Sequence, residues 1–128
     1  MSLKPYLKVG AIIQSQLKSK RLPRKVLMKI GGKPILLHCI ENTLKAAEVD
    51  EVVVASPDKI PLKLPVPVFY GVRKQVLKHY YDCATKYKFD IIVRITADCP
   101  FIDPEVIDTA VNYFQRHKFD YVCFAPID

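Results

Sequence analysis

Short apolar runs rich in β-branched residues take turns along this chain with stretches whose apolar side chains recur at helical spacing, and that alternation constrains the fold more than any other feature. Residues 9–13, 51–55, 68–69, 90–95 and 121–124 read as strands. Between them lie three helical patterns: Ile35, Leu36, Cys39, Ile40, Leu44 and Ala47; Val76, Leu77, Tyr80, Tyr81, Ala84 and Tyr87; and Val106, Ile107, Ala110, Val111 and Phe114. A continuous run such as Val52, Val53 and Val54 suits a strand covered on both faces, as in a parallel sheet. Strands joined through helices of three to four turns predict a three-layer α/β/α sandwich with a mainly parallel, Rossmann-like sheet.

The punctuation agrees with this reading. Gly31, Gly32, Lys33 and Pro34 break the chain and put a proline at the first helical position, while Asp103 and Pro104 form a helix start with Asp103 as N-cap. Residues 56–67 contain four prolines and read as a loop. With 128 residues, half of them hydrophobic, the chain suffices for one domain with a real core. No apolar run approaches the roughly 18 to 20 residues of a membrane span, and the N-terminus lacks the pattern of a secretory signal, so the expected setting is cytoplasmic. Cys39, Cys83, Cys99 and Cys123 form no C-x-x-C pair and are expected to be reduced and mostly buried.

The formal net charge is +7, and its placement matters more than its size. Lys18, Lys20, Arg21, Arg24, Lys25, Lys29 and Lys33 follow the first strand with no acidic residue among them. In open α/β sheets ligands bind beyond the carboxyl ends of the strands, and this segment leaves such an end. A cationic loop there can wrap a di- or triphosphate, whereas lysines in loops are ordinarily just solvated. Neither a P-loop nor a G-x-G-x-x-G fingerprint is present, which removes the ATPase and dinucleotide readings. Asp98, in a turn just past the fourth strand, is a chemically reasonable Mg²⁺ ligand, with a turn cap as the plain alternative. His38, His79 and His117 lack metal-site spacing and read as surface or packing residues, and Tyr80, Tyr81 and Tyr87 read as core.

The ordered segments Ile12-Ile13-Gln14, Arg21-Leu22-Pro23, Lys25-Val26-Leu27, Gly31-Gly32-Lys33-Pro34, Asp50 through Ser56, Val66-Pro67-Val68-Phe69 with Gly71, Val76-Leu77, Tyr80-Tyr81 and Val93 through Pro100 with Ile102 through Glu105 resemble the cytidylyltransferases. The branch matched is that of spore coat polysaccharide biosynthesis protein F, over nearly the whole chain. The resemblance implies a nucleotide-diphosphosugar transferase fold and transfer of CMP from CTP to a sugar or sugar-acid acceptor in surface polysaccharide synthesis. It further implies that Arg21 and Lys25 hold the triphosphate as the catalytic cations, that Gln14 and Ser15 line the nucleotide, that Ser56 and Asp58 lie near the base pocket, and that Asp98 binds magnesium.

Departures from the family pattern fall at Ser15-Gln16, where Ala-Arg is usual, at Arg24 in place of glycine, at Tyr70-Gly71-Val72 in place of Arg-Gly-Ser, and at Gln75 in place of an acidic residue. The resemblance covers the N-terminal half of such proteins, so acceptor contacts and a second metal carboxylate are expected outside these residues, and turnover by this chain alone is not expected. Two readings stand: a CTP·Mg²⁺-binding nucleotidyltransferase, and a non-catalytic nucleotide-binding or protein-interaction module on the same fold. Nucleic-acid binding ranks below both, because the cations cluster in one loop without interleaved aromatics. A homodimer is expected to cover the sheet edge left by the absent half.

Overall fold

A computed structural model of the chain describes residues 7–15, 25–71, 76–97 and 99–117. The elements are β1 (Val9–Gln14), β2 (Lys29–Ile30), β3 (Lys33–Pro34), α1 (Ile35–Leu44), β4 (Glu51–Ser56), β5 (Val68–Tyr70), α2 (Val76–Tyr87), β6 (Ile91–Thr96) and α3 (Pro104–Arg116). The main sheet runs β5-β4-β1-β6 and all of its pairings are parallel. The strand expected at 121–124 lies outside the described residues, as does Cys123.

Side-chain alternation on β1 divides the core into two layers. Val9, Ala11 and Ile13 face Leu36, Cys39 and Ile40 of α1 and Ile107 and Val111 of α3. Ile12 faces the other way, toward Tyr80, Cys83 and Ala84 of α2, together with Val53 and Ala55. Helices on both faces of a parallel sheet make the three-layer sandwich that the alternation predicted. On β4, Val52 and Val54 belong to one layer and Val53 and Ala55 to the other, which is why that strand reads as a continuous apolar run.

The amino ends of the strands are tied by carboxylates. Asp50 Oδ2 accepts from the backbone N–H of Val9 at 2.7 Å, and Asp90 Oδ2 accepts from that of Lys8 at 2.8 Å. In return Val9 and Lys8 carbonyls accept from the backbone of Asp50 and Asp90, both at 2.8 Å. On the α1/α3 side, Asp108 of α3 accepts from the backbone N–H groups of Ala47 and Glu48, at 3.0 and 2.8 Å, and so holds the turn after α1.

Four expectations shift. Pro34 is the N-cap of α1 rather than its first helical residue, because it still belongs to β3. Gly31 and Gly32, with φ of +61° and +81°, form the two-residue turn of the β2–β3 hairpin, where both positions need the left-handed region that glycine enters without a Cβ clash. In α2 the buried face is His79, Tyr80, Cys83 and Ala84, whereas Leu77 and Tyr81 are 85% and 70% exposed. At 100° per residue those two positions drift off the sheet-facing side, so Tyr81 is not core. In α1 the exposed Leu44 gives way to Thr43, whose hydroxyl is buried by donating to the Cys39 carbonyl at 2.8 Å.

Helix α2 ends in a Schellman turn, with the Phe89 N–H bonded to the Ala84 carbonyl at 2.9 Å and the Lys88 N–H to that of Thr85 at 3.3 Å. Lys88 carries the positive φ of 61° that this turn demands. A side chain there pays the left-handed strain that glycine avoids. Lys88→Gly is therefore expected to raise unfolding stability by about 1 kcal/mol, measured by urea titration.

Candidate functional site

The chain proceeds from β1 to β4 to β5 on one side and then returns to place β6 on the other side of β1. The strand order thus reverses between β1 and β6, and in open α/β sheets the crevice at such a switch point is where ligands bind. The carboxyl ends that meet there are Gln14 and Ser15 on β1 and Thr96 and its following turn on β6.

The backbone at this edge is committed to the sheet. The Gln14 carbonyl accepts from Ala97 N–H at 2.9 Å, and the Ser15 N–H donates to the Ala55 carbonyl at 2.8 Å. What remains for a ligand is carried by side chains. Ser15 Oγ is buried, the residue being 1% exposed, and has no hydrogen-bond partner among the described residues. A buried hydroxyl without a partner costs free energy that a bound polar group would recover. Gln14 Oε1 accepts from the Tyr80 hydroxyl at 2.8 Å, and the Arg94 guanidinium lies over the Tyr80 ring, 5.2 Å from its centroid. Burial pushes the Tyr80 phenol above its usual range, against the downward pull of the Arg94 guanidinium.

Asp98 lies outside the described residues, but its flanks are fixed. Ala97 is buried and bonded to β1, and the Cys99 N–H donates to the Thr96 carbonyl at 3.2 Å. Pro100 is held from α1, where Asn42 Nδ2 donates to its carbonyl at 2.7 Å. Asn42 was not foreseen from sequence, since an asparagine on a helix carries no local sign of a partner 58 residues away.

Arg21 also lies outside the described residues, together with Gln16, Arg24, Val72 and Gln75. Lys25 opens a single 3₁₀ turn over Lys25–Leu27 and is exposed, while Val26 anchors that turn in the α1 layer of the core. The hairpin that follows is fastened to α1 by a hydrogen bond between His38 Nε2 and the Ile30 carbonyl, at 2.7 Å, and by the Lys33–Glu41 ion pair. That pair holds the Glu41 carboxyl below the usual carboxylate range, chiefly through the hydrogen bond from Lys33.

Ser56 ends β4 with its hydroxyl already engaged: it donates to the Asp58 carbonyl at 2.7 Å and accepts from the Asp58 N–H at 3.0 Å. This pair shapes the turn at the carboxyl end of β4. Beyond it, the Gly71 N–H donates to the Ser56 carbonyl, and any Cβ on Gly71 would lie 2.3 Å from the buried His79 ring. Cys39 and Cys83 are buried, the Cys39 thiol donating to the Thr96 carbonyl at 3.8 Å, and burial pushes the Cys83 thiol up to about 11; Cys99 is exposed beside position 98, its sulfur 3.3 Å from the Thr96 hydroxyl.

Among the described residues no group of three or more His, Cys, Asp or Glu side chains could hold a metal ion, and no helix is long and apolar enough to cross a membrane. Magnesium that arrives with a nucleotide needs little more from a protein than one or two carboxylates, because phosphates and water complete its shell.

Comparison with known proteins gives a consistent picture. The family model described as cytidylyltransferase matches residues 10–126. An uncharacterised protein of Methanocaldococcus jannaschii is 39% identical over 91% of this chain and 51% of its own length. A 3-deoxy-manno-octulosonate cytidylyltransferase of Geotalea daltonii is 35% identical over 83% of this chain and 44% of its own. Spore coat polysaccharide biosynthesis protein SpsF of Bacillus subtilis is 31% identical over 91% of this chain and 54% of its own. Among solved structures, a cytidylyltransferase from Leptospira borgpetersenii superposes with a TM-score of 0.78 at 31% identity, over 88% of this chain and 51% of the other. A CMP:2-keto-3-deoxy-manno-octonic acid synthetase complexed with CTP superposes with a TM-score of 0.74 at 26% identity, over 85% of this chain and 48% of the other. The chain spans about half the length of the curated relatives it matches.

Proposed function

This chain belongs to the cytidylyltransferase family, and on that premise we propose that it is the nucleotide-binding half of an enzyme that transfers CMP from CTP to a sugar or sugar-acid acceptor. The observation that carries the proposal is the switch-point crevice between β1 and β6, where the Ser15 hydroxyl is buried without a partner and the Gln14 amide has a free edge. Names among the relatives supply the substrate class, and the basic segment after β1 supplies the charge that a triphosphate requires.

In the proposed reaction an acceptor oxygen forms a bond to the α-phosphorus of CTP, the bond from that phosphorus to the β-phosphate oxygen breaks, and pyrophosphate leaves with the electron pair. Such a transfer asks the protein mainly for positioning and for neutralisation of phosphate charge. Arg21 and Lys25 are proposed to hold the triphosphate, Gln14 and Ser15 the nucleoside end, and Asp98 a magnesium ion that offsets the phosphate charge when bound. The Ser56–Asp58 turn is proposed to wall the base pocket through its backbone, since the Ser56 hydroxyl is already taken.

Calorimetric titration with CTP, UTP, ATP and GTP, each with Mg²⁺ and with EDTA, tests this directly. Magnesium-dependent binding of CTP is expected, and an absence of binding to all four nucleotides overturns the reading. A second readout needs no turnover. Cys99 flanks position 98 and is exposed, so CTP with Mg²⁺ is expected to slow its alkylation, as followed by peptide mass spectrometry. Cys83, buried and with its thiol pushed up to about 11, is expected to stay unmodified with or without nucleotide.

A further inference from the structure

Three side chains from different elements meet beside the proposed site: the Arg94 guanidinium of β6 lies over the Tyr80 ring of α2, and the Tyr80 hydroxyl donates to Gln14 Oε1 of β1. Strand register places Arg94 opposite Ile12 and Thr96 opposite Gln14, so Arg94 and Gln14 share the α2 face of the sheet, with Tyr80 packed over Ile12 between them. We propose that Tyr80, steadied by Arg94, is a positioning residue that turns the Gln14 carboxamide with its nitrogen toward the crevice, making Gln14 a donor to the acceptor edge of the bound pyrimidine. The inference rests on the CTP-binding reading above and adds to it a device for telling cytosine from uracil.

The direction of the hydrogen bond follows from chemistry. A guanidinium has donors and no acceptor, so Arg94, lying over the ring, cannot take the phenol's hydrogen bond. The phenol then has its own O–H to give, and burial keeps that proton on the oxygen. Its recipient, 2.8 Å away, must be the Gln14 oxygen rather than the Gln14 nitrogen, because the nitrogen carries only donors. An isolated glutamine could present either end; here the Tyr80 hydroxyl holds its oxygen. Its amide nitrogen has no hydrogen-bond partner among the described residues. Ser15, the next residue in the chain, has a buried hydroxyl without a partner among the described residues, an independent sign that polar ligand atoms complete this edge.

A fixed donor discriminates between the pyrimidines. Position 3 of cytosine is a bare ring nitrogen that accepts, whereas in uracil it bears a hydrogen and donates. A donor held there pairs with the first and opposes the second, and mismatched polar groups in a desolvated site reject an analogue more strongly than shape does. Tyr80→Phe keeps the ring in its layer of the core and removes only the hydroxyl that holds Gln14.

The test is calorimetric titration of wild type, Tyr80→Phe and Gln14→Glu with CTP·Mg²⁺ and UTP·Mg²⁺. For Tyr80→Phe the expected result is CTP affinity lowered roughly 5- to 10-fold, UTP affinity little changed, and the CTP-over-UTP ratio reduced in step. Gln14→Glu can still accept from Tyr80 but offers no donor, so it is expected to lose the discrimination whether or not Tyr80→Phe folds well. Either variant retaining the wild-type ratio overturns the inference, including the case in which both affinities fall in proportion, as a purely structural role for Tyr80 requires. Wild-type protein that binds neither nucleotide overturns the CTP reading itself and this inference with it, an outcome distinct from intact binding with an unchanged ratio.

Discussion

Replacing Gly10 by alanine is expected to destabilise the fold by roughly 2 kcal/mol, within the range for overpacking a well-filled core. A Cβ at this position would stand 2.1 Å from Phe89 Cδ2, 2.2 Å from Cγ and 2.3 Å from Cε2, so the ring lies flat against the backbone of the central strand. Phe89 cannot swing away freely. Its backbone N–H closes the Schellman turn of α2, its ring stacks on Tyr87 with centroids 5.9 Å apart, and the Lys8 ammonium sits 5.4 Å from its centroid. The strand is no freer, being hydrogen-bonded to β4 on one side and β6 on the other. Alanine also restricts the unfolded chain, which favours folding by about 0.4 to 1 kcal/mol and sets the net value below the full steric cost. Urea or thermal unfolding measures the loss. The double variant Gly10→Ala, Phe89→Ala checks its cause: with the ring gone the alanine has room, so the two substitutions together are expected to cost less than their sum. Strict additivity would refute the steric account.

The strand that holds Gly10 is legible in the sequence, whereas its contact with Phe89 is not. Short apolar runs mark the strands and period-3.6 spacing the helices, because those elements bury whole faces and burial imposes the pattern. The β2–β3 hairpin was not seen, since strands of two residues are shorter than any period, and Gly31-Gly32 read only as punctuation. Leu77 and Tyr81 sit beside true core positions in the helical repeat and match its spacing; only the direction of the sheet separates them from Tyr80 and Ala84.

At the site, Gln14 and Ser15 were visible as the end of the first strand. Their backbone groups turned out to be spent on the sheet, which leaves the side chains to act. The Tyr80 and Arg94 partnership, the Asn42 latch on Pro100 and the contact of Phe89 with Gly10 join residues far apart in the chain, and one sequence carries no local trace of such pairs. Ser56 errs in the opposite sense. A serine at a strand end resembles a ligand contact, yet its hydroxyl is consumed by its own turn, a habit of serine that local chemistry alone explains.

Asp98→Ala is expected to weaken CTP binding in the presence of magnesium by roughly 30- to 150-fold, the equivalent of losing one charged contact of about 2 to 3 kcal/mol. The reason lies in what holds the neighbouring residues. Ala97 is bonded to Gln14 of β1, the Cys99 N–H closes on Thr96, and Asn42 fixes Pro100, so the turn has anchors on both sides of position 98 that do not involve the aspartate side chain. Thermal stability is therefore expected to be little changed. The sign in EDTA separates a metal role from a structural one. Without magnesium a carboxylate at this edge repels a triphosphate, so the variant is expected to bind CTP as well as the wild type or slightly better. A cap or packing role predicts weakening in both conditions and a lower melting temperature. Titrations in Mg²⁺ and in EDTA, with unfolding curves for both proteins, decide the matter: equal losses in the two buffers would remove Asp98 from the metal site, whereas a loss confined to magnesium would support a carboxylate that meets the nucleotide through its cation.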